Sequence, residues 1–300
     1  MSLSPDVLRQ IRGLELKARH LVTESLAGQY LSAFRGRGME FDEVREYVPG
    51  DDIRLIDWNV TARMQVPYVK VHREERELTL MLMVDVSPSQ SFGTQTRRKR
   101  ELAAELAAVL AFLAIRNHDK VGLIVFSDHV EHFILPQKGR SHVWNIIRSV
   151  LTHDGIGSRT DIDGALAFML RVVRKRSMVF LISDFWAKGY ETGLRMAARR
   201  HDLICARTSD PLEWGLVPAG LVAFKDTESG TTRFLDTSRR DVREFFRRLA
   251  TEHDEYLKRS FSQSGADYLN FMTREPIVQS LAKYLGGRQP RRGSMKRYSF

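Results

Sequence analysis

The chain has little cysteine, no long apolar run and no histidine motif, and each absence excludes a class of protein. Cys205 is the only cysteine among 300 residues, which excludes an internal disulfide and a zinc site built from cysteines. No stretch reaches the roughly 20 consecutive apolar residues that span a bilayer, and the first residues lack the apolar core of a signal peptide. The nine histidines show no H-E-x-x-H spacing, so zinc hydrolase chemistry has no support. We therefore expect a cytoplasmic protein.

Positive charge exceeds negative charge, and part of the excess lies at the end of the chain. The formal net charge is +10, and residues 288–300 carry basic side chains without an acidic one. Such a composition favours nucleic acid, anionic membranes or acidic proteins as partners. Elsewhere the two signs of charge are interspersed, which is typical of solvated surface. We predict a disordered basic tail over 288–300, a peripheral membrane contact through it as an open alternative, and no specific nucleic-acid site.

Buried strands alternate with helices from residue 78 onward, which predicts an α/β fold. Continuous apolar runs are typical of strands buried on both faces of a parallel sheet, and they occur at 78–86, 121–126, 177–184 and 202–209. A strongly amphipathic helix is expected at 97–117, and further helices are expected near 141–151, 161–174, 189–200, 239–263 and 275–286. This alternation predicts a doubly wound, mostly parallel, Rossmann-like sheet.

The first 77 residues have a different pattern. Apolar positions at helical spacing predict one helix over 5–31. Residues 34–77 are dense in charges, glycine and proline and predict a small β-rich segment, in which acids and arginines form ion pairs and Trp58 serves as a core anchor. The predicted organisation is therefore an N-terminal unit at 1–77, an α/β domain at 78–287 and the tail at 288–300.

Side chains with oxygen donors follow two of the predicted buried strands. Asp85, Ser87 and Ser89 lie at the end of the first strand, and Asp184 ends the strand at 177–184. Thr160 lies on a loop just before a helix. Ligands of doubly wound sheets bind at the carboxyl ends of the strands, and hard divalent cations prefer oxygen ligands. These five residues predict a site for Mg²⁺, or for Mn²⁺ or Ca²⁺ in its place.

The pattern resembles the metal-ion-dependent adhesion site of von Willebrand factor A domains. That family has D-x-S-x-S after the first strand, a threonine in a later loop and an aspartate after the fourth strand. The last part departs from the usual T-D-G, because Phe185 follows Asp184 here. The resemblance implies a von Willebrand factor A-like domain that binds a partner protein through its metal and is not an enzyme. Four flanking side chains are candidates for partner contact: Phe92, Arg159, Phe185 and Trp186. Phe185 and Trp186 either form an apolar rim or pack under the loop.

A second resemblance lies in GMEFDEVREYVPGDDIRLIDWNVTAR, residues 38–63. This run is similar to the signature of a bacterial family, domain-of-unknown-function family fifty-eight, whose members place it before a von Willebrand factor A-like domain. The resemblance implies a partner, a MoxR-type AAA+ ATPase, and a metal-dependent adaptor acting with that ATPase on an unknown client protein in assembly or remodelling.

Two other functions remain open from the sequence. A magnesium-dependent phosphotransferase of the haloacid dehalogenase type also sets an aspartate after its first strand. It needs a second carboxylate two residues later as acid and base, where this chain has Ser87. The other alternative is binding of nucleic acid or an anionic surface through the basic tail, which salt would weaken.

Overall fold

The computed structural model describes residues 5–34, 39–74, 78–94, 97–153, 155–225 and 231–288. Its strands are β1 (Met39–Glu46), β2 (Tyr68–Glu74), β3 (Thr79–Asp85), β4 (Lys120–Phe126), β5 (Val130–Gln137), β6 (Met178–Ser183), β7 (Asp202–Ser209), β8 (Leu221–Lys225), β9 (Thr232–Asp236) and β10 (Asp267–Met272). Its α-helices are α1 (Pro5–Leu21), α2 (Glu24–Phe34), α3 (Trp58–Met64), α4 (Lys99–Arg116), α5 (Arg140–Thr152), α6 (Ile162–Val172), α7 (Glu191–Arg200), α8 (Pro211–Trp214), α9 (Arg240–Ser264) and α10 (Ile277–Gly287).

A six-stranded sheet in the order β10-β7-β6-β3-β4-β5 forms the centre of the molecule. Its neighbouring strands are parallel, except that β5 runs antiparallel to β4 at the edge. The chain first winds from β3 toward β5 and then returns to build β6, β7 and β10 on the other side. This confirms the predicted doubly wound, mostly parallel α/β fold. The strand order reverses between β3 and β6, where such sheets bind ligands.

Helix α4 is buried on all sides rather than along one stripe. Every residue from Leu102 to Ala114 is buried, although the sequence predicts a strongly amphipathic helix. The face opposite the leucines is rich in alanine, and α1, α2 and α5 cover it while α4 contacts β3 and β4. Alanine allows helices to pack closely on that face, so the predicted solvent-facing side does not exist. A central, fully enclosed α4 fixes the position of the residues at its first turn.

The N-terminal segment forms two helices instead of the one predicted over 5–31. The helix ends at Leu21, and Thr23 starts the next one by accepting a hydrogen bond from the Leu26 backbone N–H at 3.2 Å. A threonine side chain that caps a new helix in this way favours a break in the chain direction. Side chains of both helices, including Ala18 and Tyr30, belong to the same apolar cluster as those of β3. The helices are therefore part of the α/β core.

The segment that carries the family signature is a β-hairpin with a short helix. Strands β1 and β2 pair antiparallel, and Asp57 caps α3 through the backbone N–H groups of Asn59 and Val60. Asp51 forms two hydrogen bonds of 2.7 Å with the Arg45 guanidinium, in line with the ion-paired segment that we expected. Trp58 is 70% exposed, so its prediction as a core anchor is wrong. It occupies the first position of the capped α3, which lies at the surface.

The last described residues are docked on the sheet. Arg288 follows α10, forms ion pairs with Asp202 and Asp267, and lies with its guanidinium 4.5 Å from the centre of the Phe34 ring. It therefore belongs to the folded unit, although the sequence places it in the basic tail. The rest of that predicted tail, 289–300, lies outside the described residues. No helix within the described ranges is long and apolar enough to cross a membrane.

Candidate metal centre

Two aspartates lie side by side at the carboxyl edge of the sheet. Asp85 is the last residue of β3, and Asp184 follows the last residue of β6. The two strands are parallel neighbours, with Val84 opposite Ile182, so their ends meet. Both aspartates are only 1% exposed. A buried carboxylate is unfavourable without a compensating charge or hydrogen bonds, so this pair requires partners.

Hydroxyl groups connect the two aspartates. The Ser87 backbone N–H donates to Asp85 Oδ1 at 2.9 Å, and Ser183 Oγ donates to Asp85 Oδ2 at 2.6 Å. The hydroxyl oxygens of Ser87 and Ser89 are 3.1 Å apart, and the Ser89 hydroxyl interacts with the Asp184 carboxylate. Four of the five residues that the sequence predicts as metal ligands therefore form one continuous group of oxygen atoms.

Thr160, the fifth predicted ligand, lies on a loop at the same edge. The backbone N–H of Asp161 donates to the Ser127 carbonyl at 2.7 Å, directly after β4. Gly155, at the start of the loop, lies so close to the carbonyl oxygen of Val86 that a Cβ there would clash with it. Within the described residues, the Thr160 side chain makes no hydrogen bond to the other four. The loop thus brings Thr160 to the edge but not into the hydrogen-bonded group.

Glu131 on β5 anchors this loop and is not among the residues that the sequence predicts for the site. Its carboxylate accepts from the backbone N–H groups of Ile156 at 3.1 Å and Gly157 at 3.3 Å, and it contacts His153 Nε2 at 2.6 Å. Ser127 Oγ also donates to it. A glutamate in an edge strand looks like solvated surface in the sequence, because its partners lie about 25 residues further along the chain. Glu131 fixes the loop that carries Arg159 and Thr160.

Lys99 is a second residue of the site that the sequence does not predict. Its ammonium lies 2.8 Å from Asp184 Oδ2 and 2.5 Å from Glu213 Oε1, and the residue is 1% exposed. In the sequence, Lys99 belongs to the run TRRKRE, which is typical of an exposed basic surface. Its carboxylate partners lie 85 and 114 residues away, so no local pattern indicates the contact.

One lysine does not balance the charge of this region. Burial and then the nearby Asp184 raise the pKa of Asp85 to about 7. Burial also acts to raise the pKa of Asp184, but Lys99, together with Ser89 and the Trp186 backbone N–H, holds that pKa below its ordinary value. Among the residues that the structure describes, Asp85 therefore has hydrogen-bond donors but no cation paired with it. The absence of a counter-ion and the donor set of carboxylates and hydroxyls fit a hard divalent cation.

The donor set is unusual in its small number of carboxylates. Among the described residues, no three His, Cys, Asp or Glu side chains form a group that could hold a metal. Any ion here would thus depend on the serine hydroxyls and on water as well as on Asp85 and Asp184. An ion coordinated in this way keeps attraction for a further carboxylate.

Phe185 is not available to a partner, so its prediction as a partner contact is wrong. The residue is fully buried, with its ring 5.0 Å from that of Phe261, and also packs against Tyr190. Its φ of 59° lies in the left-handed region, which glycine adopts most easily. The loop therefore keeps the backbone conformation that the glycine of a T-D-G sequence favours, and the aromatic ring fills the space below it.

The other three candidates for partner contact surround the site at the surface. Trp186 is 46% exposed and stacks on His253 with 3.9 Å between ring centres. Phe92 is 37% exposed, and its ring centre lies 5.8 Å from Lys99 Nζ. Arg159 is exposed. Two aromatic rings and one guanidinium thus remain accessible at the carboxyl edge of the sheet.

Comparison with known proteins places the chain in a family. Residues 43–256 match the model described as protein of unknown function DUF58. Uncharacterised proteins of Mycobacterium bovis and Mycobacterium tuberculosis are 32% identical over 296 residues, which cover 97% of this chain and 92% of theirs. Among solved structures, BatB of Bacteroides thetaiotaomicron matches with a TM-score of 0.46 and 14% identity over 69% of this chain and 96% of its own. An aerotolerance-related membrane protein of Bacteroides fragilis matches with a TM-score of 0.46 and 16% identity over 69% of this chain and 95% of its own. The family predicted from residues 38–63 is confirmed: the chain belongs to the DUF58 family.

Proposed function

We propose that this chain is a metal-dependent protein-binding adaptor of the von Willebrand factor A type. The observation that carries the proposal is the pair Asp85 and Asp184, buried side by side, with Lys99 paired to Asp184 and the adjoining hydroxyls of Ser87 and Ser89 beside them. A bound divalent cation, in the first place Mg²⁺, would supply an electrophilic centre that attracts an acidic side chain. Asp85, Ser87, Ser89 and Asp184 would hold this ion, and Thr160 is a further candidate ligand on the loop that Glu131 anchors.

The surface around the site supports a protein partner. Phe92 and Trp186 expose aromatic surface next to the aspartates, and aromatic side chains and arginine are enriched where proteins bind one another. Arg159 adds a positive charge that favours an acidic partner. The net charge of +10 adds long-range attraction that salt weakens. A contact through the metal is short-ranged and resists salt better.

The partner that we propose is a MoxR-type AAA+ ATPase, acting on a client protein. This identity rests on the resemblance of residues 38–63 to the family signature. The mode of binding rests on the chemistry of the site, because an ion held by two carboxylates retains affinity for a third. The partner would then place one of its acidic residues on the metal, and Phe92, Arg159 and Trp186 of this chain would surround that contact.

A phosphotransferase reaction has less support from the same geometry. Both oxygens of Asp85 already accept hydrogen bonds, from the Ser87 N–H and from Ser183 Oγ, which lowers the reactivity of a nucleophile. The position two residues later is Ser87, which cannot act as acid and base at neutral pH. We expect the purified chain to hydrolyse no phosphate ester. A metal-dependent phosphatase rate that disappears in Asp85→Asn would favour the enzyme instead.

The proposal is tested by measuring binding to the candidate ATPase by interferometry, first in magnesium and then in chelator. Binding should fall in chelator and in Asp184→Asn, a substitution that keeps the side-chain size and removes the charge. Asp241→Asn is a matched control, because Asp241 is exposed in the first turn of α9 and pairs with Arg239, which is not part of the site. This control should bind like the wild type.

The same measurement separates the metal contact from simple charge attraction. A metal-mediated contact should persist at moderate salt and disappear in chelator. Binding that is insensitive to chelator and to Asp184→Asn, yet vanishes in modest salt, would contradict the adaptor proposal and favour attraction between charged surfaces.

A further inference from the structure

The first turn of α4 holds a cation where a helix disfavours one. Lys99 is the first residue of α4, after Arg98, and the N-terminal end of a helix carries a partial positive charge that repels cations. Burial adds to the penalty, since Lys99 is 1% exposed. Two carboxylates, Asp184 and Glu213, compensate for it. Such a conflict between a local rule and the observed residue is typical of functional positions.

The two carboxylate partners of Lys99 differ in their relation to the metal centre. Asp184 belongs to the candidate ligands, whereas Glu213 lies on α8 and also accepts from the Asp210 backbone N–H at 3.1 Å. Lys99 therefore has one partner inside the metal centre and one outside it. An ion that takes a share of Asp184 leaves Glu213 as the remaining partner of the ammonium.

We propose that Lys99 is an internal counter-ion that competes with the metal for Asp184 and thereby sets the metal affinity of the site. This inference rests on the proposed function. Without metal, Lys99 neutralises Asp184 and keeps the carboxyl edge folded. A bound metal would compete with Lys99 for Asp184, and Glu213 would then remain as the partner of the ammonium. The affinity for the free ion is thus kept low, and an acidic residue of a partner raises it by adding negative charge.

Lys99 also connects the metal centre to the partner surface. Its backbone N–H donates to the Phe92 carbonyl at 3.0 Å, and its ammonium lies 5.8 Å from the centre of the Phe92 ring. Phe92 ends the short turn that begins at Ser87 and contains Ser89. A shift of the ammonium from Asp184 toward Glu213 would therefore change the surroundings of an exposed aromatic ring in the proposed interface.

The test is a calorimetric titration with magnesium at pH 8 of the wild-type chain, Lys99→Met, Glu213→Gln and Lys17→Met. Lys99→Met removes the competing charge and should tighten magnesium binding by about tenfold or more, because charges within a few ångströms interact strongly in a buried site. Glu213→Gln removes the alternative partner, binds Lys99 more firmly to Asp184 and should weaken binding. Lys17 pairs with Glu105 away from the site, so Lys17→Met changes the net charge equally and should leave the affinity unchanged.

The opposite signs of the two variants distinguish competition from a merely structural role. Equal or weaker binding in folded Lys99→Met would overturn the proposal. If that variant does not fold, Glu213→Gln decides alone, and unchanged or tighter binding in it would overturn the proposal. If the wild type binds no magnesium, binding in Lys99→Met supports the proposal. Absence of binding in both would overturn this proposal and the metal-dependent function together. Normal wild-type affinity without tightening in Lys99→Met would overturn only the role of Lys99.

Discussion

Phe185 provides a test of the conformation of the loop after β6. Its buried ring stabilises the folded chain, whereas its positive φ destabilises it. Its ring is fully buried against Phe261, and loss of a buried phenylalanine costs about 3–5 kcal/mol. Its φ of 59° costs a residue with a Cβ about 1–2 kcal/mol relative to glycine. Alanine at this position would lose the ring and keep the backbone penalty, whereas glycine would lose the ring and remove the penalty.

We therefore expect Phe185→Gly to be more stable than Phe185→Ala. Glycine also has more conformational freedom in the unfolded chain, which costs about 0.5–1 kcal/mol of stability and offsets part of the relieved backbone penalty. Phe185→Gly should therefore be more stable than Phe185→Ala by about 0.5–1 kcal/mol. Phe180 in the middle of β6 is a matched control, since it is equally buried but lies in an extended strand. There glycine should be less stable than alanine by about 0.5–1 kcal/mol.

The assay is urea unfolding of the four variants in chelator, followed by fluorescence and circular dichroism. We expect the glycine variant to be more stable than the alanine variant at position 185 and less stable at position 180. The same order at both positions would refute the reasoning that the loop retains a glycine-type conformation around Asp184.

Three further predictions concern residues outside the metal centre. Deleting residues 289–300 should change Tm by less than about 2 °C, whereas extending the deletion to Arg288 should lower Tm clearly, because its ion pairs with Asp202 and Asp267 are lost. Glu131→Gln should lower the free energy of unfolding by about 1–3 kcal/mol. Burial acts to raise the pKa of Glu131, but its hydrogen bonds hold that pKa below 4.5. The contribution of Glu131 to the free energy of unfolding should therefore be present above pH 4.5 and be lost as the pH falls further. A Glu131→Gln effect that is the same at pH 4 and pH 7 would contradict this. Burial, followed by neighbouring arginines, lowers the pKa of His201 from 6.5 to about 4, so the unfolded chain takes up a proton in this range that the folded chain does not. The free energy of unfolding should thus decrease as the pH falls from 6.5 to 4, with a smaller slope in His201→Gln, and an identical slope would show that His201 is not responsible.

The sheet was predictable from the sequence because each of its buried strands has a local pattern, a continuous apolar run. The continuous apolar runs that precede Asp85 and Asp184 occur only where both faces of a strand are covered, and the two aspartates mark the strand ends. The order of the motifs then brings four of the five candidate ligands together. The hairpin β8–β9 was missed because its residues, such as Leu221 and Phe234, are largely exposed and lack a buried pattern.

The charge balance of the site was not predictable, for a physical reason. Lys99 meets Asp184 and Glu213 only after α4 and the carboxyl edge of the sheet have packed together, so the contact depends on the fold and not on spacing. The positive φ of Phe185 is also invisible in the sequence, where the residue simply departs from the expected glycine. Neither the ion pairs of Lys99 nor the φ of Phe185 follows from the local sequence.

The central claim is that Asp85, together with Asp184 and the two serines, holds a divalent cation. Calorimetric titration of the chelator-treated chain with magnesium tests it most directly, with Asp85→Ala as the variant and Asp241→Asn as the control. We expect one ion for each wild-type or control chain and no detectable binding in Asp85→Ala, whose circular dichroism should match that of the wild type. Unchanged magnesium affinity in a folded Asp85→Ala would contradict the assignment of the site.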